Sequence, residues 1–160
     1  MNILDYLLRQ EASATRQLLL DCQELTGEQL ATPLGDGLGS LHETLVRLVQ
    51  TVELWLDLLH KQPVRLLPEP KEIADSIKGL ITRLDAIAAD MGGEASHPPV
   101  LKEHNPVEAE EAPLVGVITP VLSRNQQRRA VVQNLLSQLI RSEGLEETRL
   151  NNAAILLRKL

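Results

Sequence analysis

Phenylalanine is absent from this chain, which also has only one tryptophan (Trp55), one tyrosine (Tyr6) and one cysteine (Cys22). A core without aromatic bulk has to be built from Leu, Val, Ile and Ala, and that favours helix packed on helix. A single cysteine excludes an internal disulfide and fits a reducing compartment. No run approaches the ~20 apolar residues of a membrane span. The N-terminal MNILDYLLRQEA lacks the basic start and long apolar core of a signal peptide. The expectation is a cytoplasmic protein without a membrane partner. Positive charge is also in short supply, with 16 Lys and Arg against 22 Asp and Glu, a net charge of -6. Neutralising phosphates needs a concentrated excess of Lys and Arg, so nucleic acid is not an expected partner. HExxH, CxxC, GxSxG and a Gly-rich phosphate loop are all missing. Ser123 and Ser137 have no His within helical reach.

What is present reads as one folded domain over 1–160, with 43% hydrophobic and 24% charged residues. Leu4, Leu7, Leu8, Ala12, Thr15, Leu18, Leu19, Cys22 and Leu25 keep helical spacing, which predicts a first amphipathic helix from 2 or 3 to 24. Thr26 with Gln29 can start one short turn, and the glycines at 35, 37 and 39 mark an irregular connection. Ser40 followed by Glu43 makes a capping box, so the second helix starts at Leu41. It carries Leu41, Leu45, Leu48, Val52, Trp55, Leu56 and Leu59 on one face and Leu54 and Leu58 on another, the pattern of a central bundle member ending near 60 or 61. Pro68 and Pro70 flank the start of a third helix running to Gly92-Gly93. A Pro-rich, acidic loop over 92–118 follows, either a mobile crossover or a cover. Thr119-Pro120 then reads as an N-cap and first turn for a fourth helix to Gly144, with an apolar stripe of Val121, Leu122, Val132, Leu135, Leu136, Leu139 and Ile140. A short fifth helix over 146–159 packs Leu150, Ala153, Ala154 and Leu157.

The order of these elements resembles the DinB/YfiT-like four-helix bundles. The stretch 34–55 matches that family's first motif in spacing, with Ser40 seven residues before, and Trp55 eight residues after, the position of a metal-binding His. That position is Arg47. On the last long helix, Ser123-Arg124-Asn125-Gln126-Gln127-Arg128-Arg129 lies where the family carries His-x-x-x-His-Arg. The two His positions are Arg124 and Arg128, and the family's Arg is matched by Arg129. The resemblance implies an all-α four-helix bundle with a long crossover before the last core helix, often paired as a homodimer. For the family's ordinary members it also implies a divalent metal serving a thiol-transferase or hydrolase.

The residues oppose inheriting that metal. A guanidinium stays protonated at any accessible pH and has no lone pair for a cation. His42 and His60 are 18 residues apart on one helix, roughly 27 Å at about 1.5 Å per residue, too far to share an ion. His97 and His104 lie in the Pro-rich segment. The expectation is no metal and no other cofactor.

The resemblance thus implies three arginines in a former metal pocket, which leaves two outcomes open. Carboxylates of this chain (Glu43, Glu53, Glu11 or the run Glu108, Glu110, Glu111) pair with them while their aliphatic stems pack on leucines. Alternatively Arg47, Arg124 and Arg128, with Asn125 and Arg129 beside them, bind a small carboxylate or phosphate through forked hydrogen bonds. Cys22, on the apolar stripe of the first helix, reads as a buried, inert thiol. The favoured function is a non-catalytic, metal-free binding or interaction module. An enzyme of the family's kind using other ligands is the alternative, supported by fold analogy alone.

Overall fold

The computed structural model describes residues 3–35, 37–91 and 112–158, with side chains in the last stretch described for 113–143. The chain is all-α: α1 (Ile3–Asp21), a one-turn α2 (Gly27–Leu30), α3 (Leu41–Leu59), α4 (Ile77–Asp90) and a long α5 (Ala112–Arg158), with a 3-10 turn at Pro70–Glu72. No helix among the described residues is long and apolar enough to cross a membrane.

The local signals explain most of the boundaries. Thr26 and Gln29 form a complete capping box around α2, with bonds of 3.2 Å and 2.9 Å. Ser40 caps α3 by accepting from the Glu43 amide at 3.1 Å. The Glu43 carboxylate folds back over Gly39, where a Cβ would come within 2.1 Å of its Oε2. Gly39 also has φ of +74°, the left-handed region that only glycine enters without strain. The turn it belongs to is closed by Leu34 N–H donating to Gly39 C=O and Leu41 N–H to Thr32 C=O, both at 2.9 Å.

Helix α3 is the central element. Leu41, Leu45, Val46, Leu48, Val49, Val52, Trp55 and Leu56 are all buried, and α3 packs against every other described α-helix. Ion pairs and hydrogen bonds between the helices give the directions. Arg16 meets Asp85 at 2.8 Å and Arg9 reaches Met91 C=O at 2.6 Å, so α1 and α4 run antiparallel. His42 Nε2 lies 2.7 Å from Asp75 C=O and Arg83 grips Glu53 at 2.8 Å, so α3 and α4 run parallel. Helices α4 and α5 both touch α1 and α3 but, among the described residues, do not pack on one another.

Several expectations need correction. The third long helix starts at Ile77, not near Pro70, because Ser76 supplies the cap by accepting from Gly79 N–H at 3.1 Å. Helix α5 already exists at Ala112, so 112–118 of the expected loop is helical, while 92–111 lies outside the described residues. The same helix passes through Pro120 and Gly144 without ending. A proline inside a helix costs about 3 kcal/mol. Burial of Ile118 in the core works against that cost, and Gly116, one turn before Pro120, has nothing within 4 Å of where a Cβ would sit. The expected separate fifth helix is thus part of α5, and the packing of Leu150, Ala153, Ala154 and Leu157 falls outside the described side chains. Ile140, placed in the apolar stripe, is 69% exposed.

The connection after α3 is stapled by Asp57. Its carboxylate accepts from Arg65 Nε at 2.7 Å, Nη2 at 2.6 Å and the Arg65 amide at 3.2 Å. These bonds hold the Asp57 carboxyl below its ordinary pKa, against the opposing effect of burial. A depressed carboxylate pKa contributes stability that is present above the unfolded value of about 3.9 and is lost as pH falls through the folded value. Because Arg65 is half-exposed, the contribution is about 1 kcal/mol or less. Asp57→Asn is expected to flatten the stability profile below about pH 4. Thermal melts from pH 2 to 7 check this, and an unchanged acid limb would refute it.

Candidate cationic site

The arginines that sequence reasoning placed together are brought together in part. Asn125 faces the core on α5, fully buried in one seam with Ile118, Val132 and Leu136. Arg128, one turn later, donates from Nη1 to Asn125 Oδ1 at 3.0 Å. Burial pushes the Arg128 guanidinium below its ordinary pKa, and the positive charges of Arg47 and Arg124 push it further the same way. The charge of Arg47 on α3 thus acts on Arg128 on α5. Arg124 is exposed, and Arg47 and Arg128 are half-buried.

Arg129 has a different fate. Its Nη1 forms a buried ion pair with Glu11 of α1, the two side chains being 12% and 2% exposed. Burial alone lowers the Arg129 pKa, and the adjacent carboxylate opposes that by favouring the charged form. Arg129 is an internal strut between α1 and α5.

No described carboxylate forms an ion pair with Arg47, Arg124 or Arg128. Of the acids proposed as partners, Glu11 takes Arg129, while Glu53 is bound by Arg83, which also holds Asp75 at 3.1 Å. Glu43 lies against Gly39. Glu108, Glu110 and Glu111 lie outside the described residues, as do His97 and His104. Arg47 Nε and Asn125 Nδ2 are buried with no hydrogen-bond partner, and so is Thr15 Oγ1. Each of these buried, unsatisfied groups carries a desolvation cost.

A groove of about 360 Å³ opens beside the cluster, lined by Leu38, Arg124, Gln127, Arg128 and Val131. Arg47 does not line this groove but a separate hollow of about 250 Å³, with Gln50, Thr51, Leu54 and Glu69. Leu38 is held in place by the buried Thr44 hydroxyl, which donates to its C=O at 3.0 Å. Leu38, Gln127 and Val131 were not legible as site residues. Gln127 and Val131 sit beside the arginines in sequence, but Leu38 reaches the groove only through the folded glycine turn.

The donor set does not fit a divalent metal. Guanidinium groups have no lone pair to give a cation, and no three His, Cys, Asp or Glu side chains cluster among the described residues. Cys22 is fully buried, and burial pushes its thiol up to about 11, so it is not a nucleophile near neutral pH. Comparison with protein-family models, with curated proteins and with solved structures found no match.

Proposed function

We propose that the chain is a DinB-like four-helix bundle that has exchanged metal chemistry for anion binding, and that it works as a metal-free binding module. The observation that carries this reading is the cluster of Arg47, Arg124 and Arg128, in which each guanidinium lacks a described carboxylate partner while Arg129 alone is neutralised by Glu11. Arg47 and Arg128 are unpaired and partly desolvated, which is costly. A structural role alone would be served by leucine, as on the rest of the bundle face. Retaining three arginines there is explained by an acceptor that arrives from outside.

Calorimetry with a panel of inorganic phosphate and small mono- and dicarboxylates tests the proposal, with Arg128→Leu and the exposed Arg124→Leu as controls. Saturable binding weakened at least tenfold by Arg128→Leu is expected, a loss of about 1.4 kcal/mol. Absence of any binding, or binding indifferent to both substitutions in variants whose circular dichroism is unchanged, removes it. The same preparations separate this module from a metal-dependent transferase or hydrolase: near-stoichiometric zinc, nickel or iron after purification without chelator would overturn the metal-free reading.

A further inference from the structure

Resting on that anion-binding reading, we infer that the ligand is a small monocarboxylic acid with a compact apolar body, bound head-inward against Arg128 and lying along Leu38 and Val131. Three features of the groove lead there. The first is the donor geometry. Arg128 spends Nη1 on Asn125, and no described residue accepts from its other nitrogens. A guanidinium edge with two parallel N–H groups matches a planar carboxylate in a bidentate fashion.

The second is what lines the groove. Arg124, Gln127 and Arg128 are the polar residues that line it, with Leu38 and Val131 as the apolar ones. Phosphate sites commonly add backbone N–H groups from a helix N-terminus or a glycine-rich loop. Here the arginines sit mid-way along α5, where the amides are committed to the helix, and on the glycine turn the Leu38 N–H is already donated to Gly35 C=O at 3.0 Å. A phosphate, with its larger charge and near-tetrahedral set of oxygens, would leave most of its acceptors to solvent.

The third is the apolar surface next to the charge. Val131 is 37% exposed and Leu38 half-buried, one turn from Arg128 on one side and held by Thr44 on the other. Covering these with hydrocarbon is worth roughly 25 cal/mol per Å² of apolar area removed from water. A groove of about 360 Å³ is at the small end of the range for ligand sites, roughly 300–1,000 Å³. It suits an aryl or short branched acid better than a long chain.

Titration with phenylacetate, with 2-phenylethanol of nearly the same shape, with acetate and with inorganic phosphate separates the contributions. Phenylacetate is expected to bind at least tenfold more tightly than acetate, phosphate or the alcohol. Arg128→Lys, which keeps the charge and removes the fork, is expected to weaken phenylacetate at least fivefold. Val131→Gln is expected to weaken it about threefold. Phosphate binding more tightly than phenylacetate would overturn the ligand class while leaving the anion site standing. Equal affinity of phenylacetate and acetate would overturn the apolar body, and full retention by Arg128→Lys would overturn the forked contact. No binding of any anion would remove the inference and the anion site together.

Discussion

Replacing Glu11 by alanine is expected to lower the unfolding free energy by about 3–5 kcal/mol, the range for removing one partner of a buried ion pair. The Glu11 and Arg129 side chains are 2% and 12% exposed, so the remaining guanidinium has little route to water. The cost comes from that stranded charge more than from the lost attraction. At about 2–4 °C per kcal/mol for a domain of this size, the thermal midpoint should fall on the order of 10 °C. The double variant Glu11→Leu with Arg129→Leu removes both charges and should recover most of the loss, because packed apolar residues often match or exceed a buried pair. A denaturant series on all three proteins measures this. A single-variant loss below about 1 kcal/mol would mean the pair is solvated and the strut is not one.

The opposite sign is expected at Arg47. Its Nε is buried without a partner, and its charge acts on Arg128 across the bundle. Arg47→Met keeps much of the aliphatic stem while removing an unsatisfied donor and a like charge. A buried, unmatched polar group costs about 1–3 kcal/mol, so the variant should be more stable by an amount of that order. Its stability should also depend less on salt, since screening relieves repulsion in the parent protein but has less to relieve in the variant. Anion binding should weaken in parallel, which is the trade between stability and function that a ligand site commonly imposes. Melting curves at low and moderate salt, with and without ligand, decide it. A destabilised Arg47→Met would show that the guanidinium has a partner within the chain, and the unpaired-cation argument would fall with it.

These two outcomes separate two arginine roles that look alike in the sequence. Arg129 directly follows Arg128, yet one faces Glu11 and the other faces Asn125 and two cations. Helical rotation of about 100° per residue is enough to point adjacent side chains at different neighbours. Glu11 was one of several acids available as partners, and nothing local distinguished it from Glu53. Tertiary contact assigned Glu53 to Arg83.

Helix starts were legible where a side chain caps the backbone, as at Thr26 and Ser40, because the capping bond is made within three residues. They were misread where two local signals competed. Ser76 outcompeted Pro70, and Thr119-Pro120 lay inside a helix that began at Ala112. In α5 the penalty of a proline is local, whereas the burial that offsets it involves Ile118 against distant helices.

What the sequence by itself determined is the all-α class, the central position of α3 and the inert burial of Cys22. All of these follow from period, composition and caps, which are properties of neighbours along the chain. Only the tertiary structure decided which arginine is neutralised, that α5 runs on through Pro120 and Gly144, and that Leu38 and Val131 wall a groove beside the charges. Those depend on which side chains approach across the bundle, and the pairing of distant charges and walls carries no signal in local spacing.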